Sequence, residues 1–355
     1  MAFSEKDFSR GKLDQAGFAA DLEEKLNAGI MAGDLTDLHA VLVSRGGRLA
    51  LERYYVGADE SWGRQHGTVR FGPESLHDLR SVTKSVVSLL YGIALDKGLV
   101  PSPDASLLAQ FPAYHDLAAD PVRASLTIHH ALTMTLGMEW DELRPYSDPE
   151  NSEIAMENSP DRFRFILERP FVAKPGSRWI YSGGAAALIG ALIERGSGMP
   201  LPDFARAMLF EPLGITDFEW MAGSDGVASA ASGLRLCARD LLRIGGMILA
   251  TGSVGDRRVV SAQWLETSFH RAIRTAYDLD YGYFWFLSEA DLAGFSRPQP
   301  WIAGFGNGGQ RLLLMPAADI AVVIFSGRYD APDAWVTPAR IWQEILLANV
   351  RNNRR

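Results

Sequence analysis

Residues 81–98, SVTKSVVSLLYGIALDKG, are apolar nearly all round, and Gly98 supplies a helix stop. A helix with no polar face belongs in the middle of a fold. Lys84 interrupts that run, with Ser81, Ser85 and Ser88 forming a polar stripe. The chain has six lysines (6, 12, 25, 84, 97 and 174), and Lys84 stands where an unpaired charge is costly. Ser81 and Lys84 are three residues apart, so both side chains share one helix face. In the first turn, free backbone N–H groups and the positive end of the helix dipole favour a developing anion. A serine hydroxyl attacks carbonyls only when a base takes its proton. A lysine can do that when burial or a second cation favours its neutral form. The plain alternative is a lysine that snorkels to solvent from a helix start. The same spacing recurs at Ser9-Arg10-Gly11-Lys12, in a polar tail, and carries no weight there.

The rest of the chain supplies a frame for this helix. Residues 14–30 place Phe18, Leu22, Leu26 and Ile30 four apart, which predicts one apolar helix stripe. LHAVLVSR (38–45), Gly46-Gly47 and RLALERYY (48–55) read as a β-hairpin. The segment 57–76 reads as polar and irregular. Residues 126–140 are a helical candidate, and 143–162 read as a long surface loop of the kind that serves as a lid. GGAAALIGALIERG (183–196) predicts a helix crowded with small residues. The second half of 231–252 predicts another helix. DYGYFWFL (280–287) and the two halves of 310–327 predict strands. Thr337 and Pro338 read as the start of a last helix, with Ile341, Ile345 and Ala348 on one face.

This order implies an α/β (α+β) fold: an antiparallel β-sheet flanked by helices, built from both chain ends, plus an inserted, mostly helical domain. The expected boundaries are 1–75 with 225–355 for the sheet domain and 76–224 for the helical one. Small-molecule sites favour clefts of such folds.

Charge and composition exclude other classes. With 355 residues and a net charge of −8, no basic field exists to hold phosphates, so nucleic acid is not an expected partner. No stretch approaches 18 uninterrupted apolar residues, so no membrane span is expected. The lone Cys237 allows no intrachain disulfide, and MAFSEKDFSRGKLDQ has no apolar signal core. The expectation is a cytoplasmic protein. No metal or cofactor is expected. Gly304, Gly306 and Gly309 spell G-x-G-x-x-G, but a strand follows where a dinucleotide site needs a helix. His129-His130 are adjacent, so their rings point apart on a helix and read as packing or surface histidines. Tyr281, Tyr283, Phe284, Trp285 and Phe286 read chiefly as core.

Six segments taken together, LHDLRSVTKS, LTIHHALTMTLGMEWDE, PGSRWIYSGGAAALIGALIE, EPLGITDFEW, ASGLRLCARDLLRIG and GFGNGGQRLLLMP, resemble the β-lactamase-like serine hydrolases. That family includes class C β-lactamases, D-Ala-D-Ala carboxypeptidases, family VIII esterases and 6-aminohexanoate-dimer hydrolases. The wording of the first segment is most similar to the esterase and dimer-hydrolase branch. The resemblance covers residues 35 to 350 and implies a β-lactamase/transpeptidase-like fold. It implies Ser81 as nucleophile, Lys84 as its partner, and Tyr181, the tyrosine of a Y-x-N element, as a shared base that protonates the leaving group. It also implies a third element at Asn307-Gly308-Gly309, with the backbone N–H groups of Ser81 and Gln310 as the oxyanion hole. Trp140 resembles a residue lining the pocket.

Two departures stand out. Gly183 replaces the asparagine of Y-x-N, and Asn307 stands where the third element carries a cation or imidazole. Arg311 is a possible substitute cation, although strand alternation turns it away from the face of the Gln310 side chain. Losing the charge weakens a carboxylate-binding reading and favours uncharged esters or amides. The expected activity is hydrolysis of small ester or amide bonds through an acyl-enzyme. The alternatives are β-lactamase or D-Ala-D-Ala carboxypeptidase activity, acyl transfer to a nucleophile other than water, and a catalytically silent binding protein on the same scaffold. Oligomeric state is not legible.

Overall fold

The structure is a computed structural model in which residues 13–351 are described. The Ser9–Lys12 motif therefore lies outside the described residues. A first helix, α1 (Leu22–Met31), is followed by a hairpin of β1 (Leu38–Arg45) and β2 (Arg48–Tyr54). Gly46 and Gly47, with φ of 59° and 69°, make the turn between them, as two left-handed residues in a tight hairpin require. A second hairpin, β3 (Val56–Ser61) and β4 (Arg64–Arg70), occupies the segment read as irregular. Its turn at Trp62-Gly63 has φ of 49° and 78°. Its mostly exposed strands lack the apolar alternation that betrays a half-buried pair. Helix α2 (Val82–Asp96) carries the central apolar run.

The chain divides into two compact units. One, the sheet unit, comprises the described residues up to Val82, Arg235–Arg258 and the described residues from Leu287 on. In it five antiparallel strands lie side by side in the order Gln299–Gly306, Gln310–Met315, Ile320–Ser326, β1, β2. Every residue of Ile320–Ser326 is buried, because both faces of this strand are covered. The helix Ala238–Leu249 packs on it through Gly245, where an added Cβ would lie 3.1 Å from both Leu312 and Leu314. Phe18 bridges to Val350 instead of continuing α1, and the last helix starts at Val336 with Ala348 exposed.

The helical unit comprises Thr83–Leu234 and Val259–Phe286. Residues 259–286, read above with the sheet domain, group with the helices for a visible reason. Trp264 donates from Nε1 to the Ser88 carbonyl at 2.9 Å, and Phe284 N–H donates to the Leu132 carbonyl at 3.1 Å. The helix Gly183–Ser197 runs through this unit with residues 183 to 193 all buried. Its small residues let neighbours close in: Gly184 lies under the Trp140 indole and Gly190 against Ala230. The helix expected over 126–140 is only Ile128–Leu132, because Met134 and Gly137 turn left-handed at φ 59° and 74°. The loop 143–162 contains a helix, Ser152–Glu157, capped by the Asn151 side chain. The strand expected at 280–287 breaks at Phe284, whose φ is 62°. Among the described residues, no helix is long and apolar enough to cross a membrane.

Candidate active site

In the sheet unit, the chain enters Ser81 through a strained residue. Arg80 has φ 49°, a left-handed conformation that costs a non-glycine residue about 1–3 kcal/mol. Ion pairs to Glu60 and Asp78 hold it, and Tyr329 stacks under its guanidinium at 4.8 Å. The Val82 N–H returns to the Leu79 carbonyl at 3.1 Å, closing a tight turn around Ser81. The strand edge at Gly306 presses on this turn. A Cβ there would collide with the Leu79 carbonyl and lie 3.2 Å from the Arg80 Cβ. Ser81 itself is 7% exposed.

Past Gly306 the chain reverses through Gly308 and Gly309, with φ of 84° and 100°. Only glycine adopts such angles without strain. Gln310 then pairs with Gly306 and is fully buried. Its side chain bonds the Ser326 backbone on both sides, with Nε2 donating to the carbonyl at 2.7 Å and Oε1 accepting from the N–H at 3.0 Å. Asn307 is occupied: its Nδ2 donates to Asp330 Oδ1 at 2.7 Å and its Oδ1 accepts from the Asp330 N–H at 2.8 Å. Arg311 is buried, donates to the Gly306 and Gln310 carbonyls and stacks on Phe305. Burial lowers its guanidinium to about 10.

In the helical unit, Lys84 is 1% exposed. Its Nζ donates to the Ala231 carbonyl at 3.1 Å and lies 4.8 Å from the centre of the Tyr181 ring. Tyr181 is half-buried and immediately precedes Ser182, the cap of the helix Gly183–Ser197. Ser85 donates to the Phe284 carbonyl at 2.8 Å, so the polar stripe of α2 is shared between Lys84 and structural bonds.

Sequence reasoning missed two carboxylates here. Glu153 Oε2 lies 3.8 Å from Lys84 Nζ, and both side chains are 2% exposed. Glu153 Oε1 accepts from the Ser232 hydroxyl at 2.5 Å. Glu142 accepts from the Gly183 N–H, from Trp140 Nε1 at 2.5 Å and from the Tyr146 hydroxyl at 3.1 Å. Burial, and then the charge of Glu153, push the Glu142 carboxyl up to about 7 against the pull of Lys84. A Cβ on Gly183 would lie 2.5 Å from Glu153 Oε2 and 3.0 Å from Glu142 Oε1. The missing side chain at 183 is therefore the space these carboxylates fill. The one readable signal was the Asn151 cap, which marks a helix start inside a segment taken for a loop. Trp140 spends its N–H on Glu142 and lines an apolar pocket with Met134, Ile166, Ile180 and Ala185.

Among the described residues one group has metal-like spacing: His39, Asp59 and His77, with ligand atoms within 4.8 Å. The two imidazoles bond each other at 2.8 Å, and His77 Nδ1 bonds the Asp78 carbonyl at 3.0 Å. Phe71 and Phe325 stack on the pair. Burial pushes His39 down to about 4, so the pair is neutral near pH 7. The adjacent His129 and His130 do point to different partners, Tyr283 and Thr127.

An antiparallel sheet unit and a helical unit of this make-up define the β-lactamase and penicillin-binding-protein fold. A class C β-lactamase from Rhodobacter sphaeroides superposes with a TM-score of 0.66 at 18% identity, over 90% of this chain and 97% of that one. The chain belongs to the Beta-lactamase family, whose model matches residues 35–344, and so stands among the β-lactamase-like serine hydrolases. It is 26% identical to the 6-aminohexanoate-dimer hydrolase of Paenarthrobacter ureafaciens, over 88% of this chain and 76% of that protein. It is also 28% identical to esterase EstB of Burkholderia gladioli over 58% of this chain, a match that spans about half (52%) of the esterase.

Proposed function

We propose that the protein hydrolyses small ester or amide bonds through an acyl-enzyme on Ser81. The observation that carries this is Lys84: an amine 1% exposed, three residues along the chain from Ser81 and 4.8 Å from the Tyr181 ring centre. Ser81 Oγ forms a bond to the substrate carbonyl carbon while its proton passes to Tyr181. The oxyanion rests on the N–H groups of Ser81 and Gln310. The bond to the leaving alcohol or amine then breaks as Tyr181 returns the proton, and water releases the acyl group by the same steps. Lys84 supplies the charge that makes a phenol of ordinary pKa near 10 a usable base. The names of the two relatives, an esterase and an amide-dimer hydrolase, support this substrate class over β-lactams. So does the side chain of Asn307, which is neutral and bonded to Asp330.

Ser81→Ala is expected to abolish hydrolysis of short p-nitrophenyl esters, by about 10⁴-fold or more, with an unchanged circular-dichroism spectrum. Undiminished turnover would end the assignment. The wild-type protein is expected to hydrolyse nitrocefin far more slowly than the esters; the reverse ranking favours a β-lactamase. The partner is then a small ester or amide, with no part for nucleic acid or membrane. A cytoplasmic site of action belongs to the same proposal, supported by the lone buried Cys237.

A further inference from the structure

We propose that Glu153 is a positioning residue of this site, a counter-ion that keeps Lys84 charged beside the Tyr181 ring, so that the phenol and not the amine removes the Ser81 proton. The inference rests on the acyl-enzyme reading and adds the charge state in which the site works.

The geometry carries it. An amine serves as a base in a dry site when nothing there favours its proton. Lys84 has the opposite setting. A carboxylate stands 3.8 Å from Nζ, and the Ala231 carbonyl accepts from it at 3.1 Å. Both partners stabilise the ammonium. Glu153 is aimed with care: Ser232 holds its Oε1, and its buried Oε2 accepts no hydrogen bond and faces the amine. Glycine at 183 leaves the room this carboxylate needs. An acceptor left bare at that depth is costly unless a charge answers it.

Among the described residues, charged or titratable groups facing this pair include Glu142 and Tyr146 from the preceding loop, Tyr181, and Glu157 on Glu153's own helix. Glu157 is engaged by Arg162 at 2.7 Å. Glu142 takes three donors of its own and feels Lys84 as well, while Glu153 Oε2 stands 3.8 Å from Nζ. A cation over the ring favours the phenolate, as the proposed role of Tyr181 requires.

The test is the pH profile of kcat/KM for a p-nitrophenyl ester, measured on the full chain for wild type, Glu153→Gln and Glu153→Asp. In wild type the profile is expected to carry an alkaline limb. In Glu153→Gln the value at pH 7 is expected to fall about 100-fold, with the alkaline limb moving to lower pH by about one unit or more. Glu153→Asp keeps the charge at a greater distance, so its limb moves the same way by a smaller step. If the Gln variant does not fold, the Asp profile decides alone. A carboxylate that only holds the fold together would lower the amplitude and leave the limbs in place; an unmoved limb, or one moved to higher pH, overturns the proposal. Fluorophosphonate labelling of Ser81 runs alongside. An unlabelled wild type sinks the acyl-enzyme reading itself, whereas labelled protein with unmoved limbs sinks only the role given to Glu153.

Discussion

The sheet unit and the helical unit build their candidate site residues by different means. Around Ser81 the sheet unit uses backbone: a left-handed Arg80, and a glycine strand edge and two-glycine turn held by strand register. Around Lys84 the helical unit uses side chains, with Glu142, Glu153, Tyr146 and Tyr181 drawn from separate segments into a buried polar cluster. Backbone donors are rigid and nearly indifferent to pH. Side-chain charges are tunable, and each must be answered by another.

The sharpest way to break this contrast is to disturb the turn. Gly309→Ala places a side chain at φ 100°, 3.0 Å from the Ser326 Cβ. The expected result is a fall in kcat of about 100-fold with a nearly unchanged pH profile, as loss of one oxyanion donor gives. A shifted profile would mean that the strand edge also sets proton affinities.

The next effect is on stability. Burial and the charge of Glu153 push the Glu142 carboxyl up to about 7 in the fold, above the 4.5 usual for a glutamate. The folded state therefore holds more protons between those values. The stability due to this group is complete below about pH 4.5 and is lost as pH rises through 7. His39 runs the other way: its folded value of about 4 lies below 6.5, so its contribution is complete above pH 6.5 and is lost as pH falls towards 4. Urea unfolding of wild type and Glu142→Gln from pH 4.5 to 7.5 is the check. The wild type is expected to lose stability relative to the variant as pH rises, and a constant difference would refute the assignment.

The smallest effect is expected at Gly183. In Gly183→Ala the new methyl displaces the Glu153 carboxylate, the end of a side chain that can give. A better helix former partly offsets the strain, leaving a net cost of about 1 kcal/mol. A fall in kcat/KM of about 10-fold is expected, read from the ester assay. Unchanged kinetics would show that the carboxylate has room to spare.

Much of the scaffold was legible. Apolar runs bounded by glycine and turn residues announced β1, β2, α2, the helix at 183–197 and the paired strands of 310–327. Two misread segments share a cause: Met134 and Phe284 adopt left-handed backbone although nothing in their type requires it, so tertiary packing broke the pattern of 126–140 and 280–287. The β3–β4 hairpin was invisible because its strands bury little.

The sequence by itself determined the buried helix and its isolated lysine, since an apolar run has only one place in a folded chain. It also determined the family, through segments whose order no local propensity explains. What answers that lysine was decided only in three dimensions. Glu153 looks like any surface acid in a polar stretch, and Gly183 looks like a lost amide, until folding brings them to the same point. Charge pairing is a property of distance in space, and sequence spacing encodes that distance only within a helix or a strand.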